Sequence, residues 1–576
     1  MVDHKRVRSI PNTLTLLIVL ALVLGGTMAP AQSARAATPI TFTGEELLGR
    51  PTDTSITIKI VPDESIAYYY EYATSPGTYS EQPPTAEAVG GEPSEIIITG
   101  LSPNTQHYYR MQYHPLHDDE WVPRAERSFW TQRAQGEGFV FTITADSHVN
   151  IMLGNAATWT STLNNVAADS PDFHIDLGDT FAVYTAVGVG DVAGAENAYT
   201  YQLPFFNIVS HSASVFLMAG NHEQTEGWHR TETTNVADSL PALSINAMKK
   251  FYLNPVPDEF YTGNTDTFAY IDGDQTLGNY YAWEWGDALF VVIDPFWYTE
   301  TRPYTGGGGG GEGSTGSQDR WDWTLGQGQF NWLKETLEGS DAAFKFVFAH
   351  HMVGGSDDYV RGGAVPAHLF EWGGYHLNGT TWGFDTQRPG WGPDPIHQIM
   401  VQNGVSAFFH GHDHQYAYEM RDGIVYQSMP SAYNGSFNYY NESNEYTIKV
   451  LPSPGHLRVT VNPDETTVEY IATSGGAVNH SYTIEPNAPG EGILGDVNGD
   501  GSVSVTDALI ILSGDVGNDI SQFCPVNCGD VNGDGLVTAI DALIILSYDV
   551  GLSIPYAGVG LPGCPASVTP PSGCSP

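Results

Sequence analysis

Five short clusters of Asp, Asn and His recur along the middle of the chain. They are Asp146-Ser-His148, Gly178-Asp179, Gly220-Asn-His-Glu223, Ala349-His-His351 and Gly411-His-Asp-His414. Each follows an apolar run that reads as a buried strand: Phe139–Thr144, Phe173–Leu177, Val215–Ala219, Phe344–Ala349 and Val405–Phe409. Layered α/β domains place their sites at the carboxyl ends of such strands. Imidazole and carboxylate together suit divalent transition metals, and Fe, Mn, Zn and Ni all remain open. A carboxylate shared by two cations about 3.5–4 Å apart is an arrangement suited to hydrolytic chemistry.

A second chemistry lies near the C-terminus. Gly495–Gly517 recurs at Gly529–Gly551, an offset of 34 residues with 18 of 23 positions identical. Each copy opens Asp-x-Asn-x-Asp-Gly and reaches Asp at position twelve, a set of hard oxygen donors around a sharp turn that suits Ca²⁺. The expected ligands are Asp496, Asn498, Asp500 and Asp507, then Asp530, Asn532, Asp534 and Asp541, with Ser502 and Leu536 giving backbone carbonyls. Ala508–Leu512 and Ala542–Leu546 read as short helices, and no comparable helix precedes either loop. Cys524, Cys528, Cys564 and Cys574 allow three disulfide pairings.

These residues need elements to position them. Between Thr38 and Arg133, runs such as Ser55–Ile60, Ala67–Tyr72, Glu95–Ile98 and Tyr108–Tyr113 alternate apolar and polar residues between Pro and Gly turns, the pattern of a β-sandwich. From Gly138 the buried runs alternate with helical patterns, as in Gln327–Leu337, where Phe330, Leu333 and Leu337 share one face. Leu289–Ile293 is a further strand, with Asp294 as its cap or turn. Asp176 reads as a hydrogen-bonding support for the site and His410 as a packed strand residue. His211, His229, His368, His376 and His397 read as loop residues, most of them ordinary surface positions with substrate contact as the alternative, and Trp372, Trp382 and Trp391 as either cleft lining or loop packing. Residues 306–316 are almost all Gly and read as an insertion loop.

The chain carries 22 Lys and Arg against 66 Asp and Glu in 576 residues, a formal charge of −44. That charge excludes a protein that coats nucleic acid, and it opposes docking on anionic lipid. At the N-terminus, His4, Lys5, Arg6 and Arg8 precede an apolar Leu14–Leu24 interrupted only by Thr15, and A-x-A sites end at Ala31 and Ala36. This is a secretory signal pattern, with cleavage expected after Ala36. The expected organisation is a signal peptide at 1–36, a β-sandwich at 37–134, a layered α/β domain at 137–484, a linker at 485–493, calcium-loop repeats at 494–552 and a Pro/Gly-rich tail at 553–576.

Taken in order, the five central clusters resemble the calcineurin-like metallophosphoesterase family over Phe139 to about Ala432. The resemblance implies a β-sandwich core flanked by helices. It also implies two divalent metals, with Asp146, His148 and His414 on the first, Asn221, His350 and His412 on the second, and Asp179 bridging. His222 would be the acid beside the leaving group, with in-line attack by a metal-bound hydroxide. His-His-Met in place of the frequent His-x-Pro leaves His351 as the alternative to His350. Asp172 and Glu223 match family positions and are expected to support the site. The segment Gly100–Arg110 resembles fibronectin type III-like sandwiches, which precede the catalytic domain in purple acid phosphatases. Those enzymes carry a tyrosine three residues after the bridging aspartate, where this chain has Ala182, and they lack a counterpart of His148. The terminal repeats resemble dockerin type I modules, which implies a cohesin partner and attachment to a scaffold or surface; recognition would fall at Val505/Thr506 and Ala539/Ile540. The expected function is a secreted phosphomonoesterase. The alternatives are a phosphodiesterase acting on nucleotides or lipid head groups, and a non-catalytic surface-anchored binding protein.

Overall fold

The structure is a computed structural model. It describes residues 40–150, 154–303, 319–354, 363–433, 443–487, 493–498, 502–520, 523, 526–552, 554–556, 558–560, 564 and 571. The segment read as a signal peptide, the glycine-rich run, Asp500, Cys524 and Cys574 lie outside the described residues.

Two β-sheets face each other in the central domain. In the first, strands lie in the order Ser214–Leu217, Phe173–Asp176, Phe139–Thr144, Gly455–Asn462, Glu465–Ala472 and Val478–Ile484. In the second the order is Thr262–Gly263, Tyr281–Trp285, Ala288–Val292, Phe344–Ala349, Ala407–His410, Ile424–Ser428, Tyr416–Arg421 and Thr447–Leu451. The first three strands of sheet one are mutually parallel, as are Ala288–Val292, Phe344–Ala349, Ala407–His410 and Ile424–Ser428 in sheet two. These parallel runs bring their carboxyl ends, and hence the His and Asp clusters, to one edge.

The reason they stay there is burial on both faces. Phe141, Phe173, Phe290, Phe346, Phe348 and Phe409 fill the space between the sheets, with Phe141 and Phe173 stacked at 5.5 Å and Phe348 and Phe409 at 5.3 Å. Truncating one such ring to Ala costs about 3–5 kcal/mol. The outer face of sheet one carries Val215 and Leu217 against the helices Ala156–Ala168, Leu203–Ser210 and Leu240–Phe251. That of sheet two carries Val291, Val347 and Phe408 against Gly326–Glu338 and Ile396–Gln402. Phe330, Leu333 and Leu337 form the buried face of Gly326–Glu338, as their spacing predicts.

Residues 47–130 form two sheets, Leu47–Gly49, Ser55–Ile60 and Ser94–Thr99 against five strands led by Ile66–Ala73 and Gln106–Pro115. Leu48, Ile56, Ile58, Tyr68, Tyr109 and Met111 make their core. Lys59 locks this sandwich to the central domain. Its ammonium donates to the carbonyls of Lys249, Lys250 and Tyr252 at 3.0–3.1 Å, at the C-terminal end of the Leu240–Phe251 helix. Burial pushes its pKa down to about 8, against the pull of Glu95.

The two repeats form the helices Val505–Asp515 and Ala539–Asp549, each longer than the sequence pattern predicts because a capping box starts it earlier. Asp507 and Asp541 close those boxes. Cys528 pairs with Cys564, which selects among the possible pairings. Asn487, expected in a linker, instead bonds the Ala343 and Gly404 carbonyls.

Candidate metal centre

Each cluster occupies the loop directly after its strand. The loops are tightly bent. Asp146, His148, Asp179, His412 and His414 all have positive φ, between 46° and 68°. Such backbone costs about 1–3 kcal/mol per residue and persists where the surroundings impose it. Here they do. The Asp146 and His148 amides donate to the carbonyls of Gly178 and Asp179, and the Asp146 carboxylate accepts the His412 N–H at 3.0 Å. The glycines of the motifs are there for space. A β-carbon on Gly178 would lie 2.3 Å from the Gly220 nitrogen, and one on Gly220 would lie 2.3 Å from Asp179 Oδ1.

The side chains converge. Asp146, His148, Asp179 and His414 bring ligand atoms within 4.8 Å of one another, and so do Asp179, His350 and His412; among the described residues no other such group of His, Cys, Asp and Glu forms. Asp179 belongs to both. Its Oδ2 lies 3.2 Å from His350 Nε2 and 3.7 Å from His148 Nε2. His148 Nε2 and His414 Nε2 face each other at 2.9 Å, and Asn221 Oδ1 lies 2.8 Å from His412 Nδ1. His350 Nδ1 is committed to the Leu177 carbonyl at 2.8 Å, leaving its buried Nε2 facing the Asp179 carboxylate.

His351 takes no part in either group. Its Nδ1 faces the Met352 carbonyl, and its ring packs edge-on against Phe296 and Trp323. Burial opposes charge throughout the centre; it prevails at His148, pushed down to about 4, but not at His350 or the two aspartates. Asp179 and Asp146 carry His350 up to about 10, while the surrounding imidazoles hold both carboxyls below the ordinary range.

The supports are now visible. Glu223 accepts four backbone N–H groups, from Gly220 and Asp179 on one oxygen and from Thr180 and Phe181 on the other, at 2.6–2.9 Å. Burial and the Asp179 charge push its carboxyl up to about 8, against those donors. Asp176 accepts from Thr144 and the Gly178 amide, and burial pushes it up to about 7. Asp294 receives the Phe296 amide and Asn279, the turn role read for it. His410 is buried and stacked on Phe408.

Some expectations fail. Asp172 stands at the opposite end of its strand from the centre, because its partners there are Arg133 and Trp285 Nε1. His397 lies on a helix, buried between Tyr426 and Asp422, and His229 is buried beside Trp228 and bonded to Glu232. Trp372 is fully buried and Trp391 packs on Phe330, whereas Trp382 is exposed. Sequence reasoning missed Ser431, whose hydroxyl holds the Asp146 carbonyl at 2.9 Å, and Tyr433, whose ring edges His148 and His414. Both follow the Ile424–Ser428 strand, and position after a strand was the one signal that could have found them.

A double cluster of candidate ligands at the carboxyl edge of two facing sheets is consistent with a metallophosphoesterase. Residues 139–416 match the family model of calcineurin-like phosphoesterases and residues 494–548 that of the dockerin type I domain, which together support a metal-dependent phosphoesterase with a dockerin appended. Among solved structures, one of PhoD is similar at a TM-score of 0.56 and 15% identity, over 78% of this chain and 91% of that chain. A purple acid phosphatase, PPD1 from yellow lupin (Lupinus luteus) seeds, is similar at a TM-score of 0.50 and 13% identity, over 76% and 74%. At those identities the likeness is one of fold. No curated protein matches the sequence significantly.

Proposed function

We propose that the chain is an exported phosphomonoesterase tethered through its C-terminal repeats to a cohesin-bearing partner. The observation that best supports this is the sharing of Asp179 by two groups of ligand atoms. In this reading Asp146, His148 and His414 hold one divalent cation, Asn221, His350 and His412 hold a second, and Asp179 serves both. The donor set fits: four imidazoles and three oxygen donors converging on Asp179 suit Fe, Mn, Zn or Ni. When bound, such a pair supplies Lewis acidity toward a phosphoryl group and an activated water.

The chain's own residues do the rest. His222 is held with its amide on Asp179 Oδ1 at 2.8 Å and its Nε2 3.8 Å from Asp179 Oδ2, so the ring is aimed at the centre. A proton on that Nε2 goes to the departing oxygen. Glu223 and Asp146 fix the loops from which the ligands project. The repeats' carboxylates fit Ca²⁺: Asp530 turns back to accept the Asp534 and Gly535 amides, and Asp541 accepts the Asn532 amide. Export is supported by the N-terminal pattern and by the Cys528–Cys564 disulfide, which persists in an oxidising compartment. No helix among the described residues is long and apolar enough to cross a membrane.

The test strips the protein of metal, restores each candidate cation, and measures hydrolysis of a matched aryl phosphomonoester and diester. Metal-dependent turnover favouring the monoester is expected. A preference for the diester would move the assignment to a phosphodiesterase. No turnover with two metals bound would favour a binding protein. His222→Ala should keep its metals and lose about 10²–10⁴-fold in rate.

A further inference from the structure

The edge of the centre beside His222 is bordered by a side chain that the reaction scheme has not used. His222 packs at right angles on His148, with ring centroids 4.9 Å apart. On another side, Tyr184 packs nearly at right angles on His222 at 5.2 Å. The three rings thus form a chain of contacts leading from a metal-group residue, through the proposed acid, to Tyr184.

Tyr184 is 40% exposed, unusual for a ring so near a buried centre. Its hydroxyl makes no hydrogen bond to the described residues. Its backbone belongs to the segment that leaves the centre after Asp179. It sits in the single helical turn Val183–Ala186, with Val183 buried beneath, and Phe181 just before it is tied to Glu223. The loop that carries Asp179 therefore also presents Tyr184.

In an in-line displacement the leaving oxygen departs beside its proton donor, so the group it carries must pass the donor's exposed neighbour. We propose that Tyr184 forms one wall of the leaving-group subsite and selects phosphoesters whose leaving group is an aryl ring. The inference rests on the phosphoesterase reading above. A planar ring stacks or packs edge-on against Tyr184; a small polyol has no such surface and gains nothing there.

The experiment compares wild type, Tyr184→Phe and Tyr184→Ala, each loaded with metal, on phenyl phosphate and on glycerol phosphate. Bound metal is counted in each variant. Tyr184→Ala should lose about three- to tenfold more in kcat/KM on phenyl phosphate than on glycerol phosphate, as expected for one aromatic pair. Tyr184→Phe should retain the wild-type ratio of the two. Equal losses on both substrates, or no loss on either, would overturn the role of Tyr184 while leaving the phosphoesterase reading intact. Wild-type protein that carries two metals and hydrolyses neither substrate would overturn both.

Discussion

Glu223→Gln changes one atom and should nevertheless loosen the whole centre. In the wild type Oε2 accepts the Asp179 and Gly220 amides, and Oε1 accepts those of Thr180 and Phe181. A glutamine keeps one acceptor oxygen and turns an NH₂ toward two backbone N–H groups. Whichever way the amide sits, two of the four bonds are lost, and two buried donors are left facing a donor. Hydrogen bonds to a charged partner are worth about 1.5–3 kcal/mol each, so above about pH 8, where Glu223 is ionised, the loop loses about 3–6 kcal/mol of organisation. That loop carries Asp179, the ligand shared by both metal groups. Removing an outer support of this kind typically weakens metal binding about 10–100-fold. Calorimetric titration of the metal-free protein with Mn²⁺ or Zn²⁺ reads the affinity, and scanning calorimetry reads the stability. Wild-type affinity together with a wild-type melting temperature in Glu223→Gln would refute the argument that this carboxylate positions Asp179.

Other outcomes follow from the same geometry. His350→Ala should bind one cation fewer, whereas His351→Ala should keep both and melt at a lower temperature, because His351 packs on Phe296 and Trp323; metal analysis and calorimetry separate them. Burial pushes Asp294 up to about 6, above its unfolded value near 4, so the folded chain binds the extra proton. Stability should therefore fall as pH rises from about 4 to about 6 and stay reduced above, and Asp294→Asn should flatten that slope in melts across the range. Lys59→Met leaves three helix-end carbonyls without their donor and should cost about 1–3 kcal/mol in denaturant unfolding. Chelating Ca²⁺ should lower the melting of the repeat region while leaving the central transition in place.

The site was legible in the sequence because metal ligation demands particular residue types, and strand ends demand that they follow apolar runs. All seven positions read as metal ligands lie together at one edge, and of His350 and His351 it is His350 that brings a ring nitrogen into the group with Asp179. Strands buried on both faces, such as Phe139–Thr144 and Phe344–Ala349, were bounded correctly because their flanks change abruptly to polar turns. What the pattern could not supply was pairing. Nothing local says that Gly455–Asn462 lies antiparallel beside Phe139–Thr144, more than 300 residues away in the chain, and so completes the first sheet. Asp172 misled for the same reason: residue type marked it, but direction along the strand decides which end it serves. The buried His229 and His397 were read as surface residues because a polar type was taken as exposed, when partners such as Glu232 and Asp422 make their burial tolerable.

The central claim is a paired centre with a shared aspartate. Its most direct test is the metal content of the full chain during titration of the stripped protein, with aryl phosphate turnover followed in parallel. The account predicts two transition-metal equivalents per chain, turnover that rises with the second, and loss of both binding events in Asp179→Ala. One equivalent, or two that survive intact in Asp179→Ala, would contradict it.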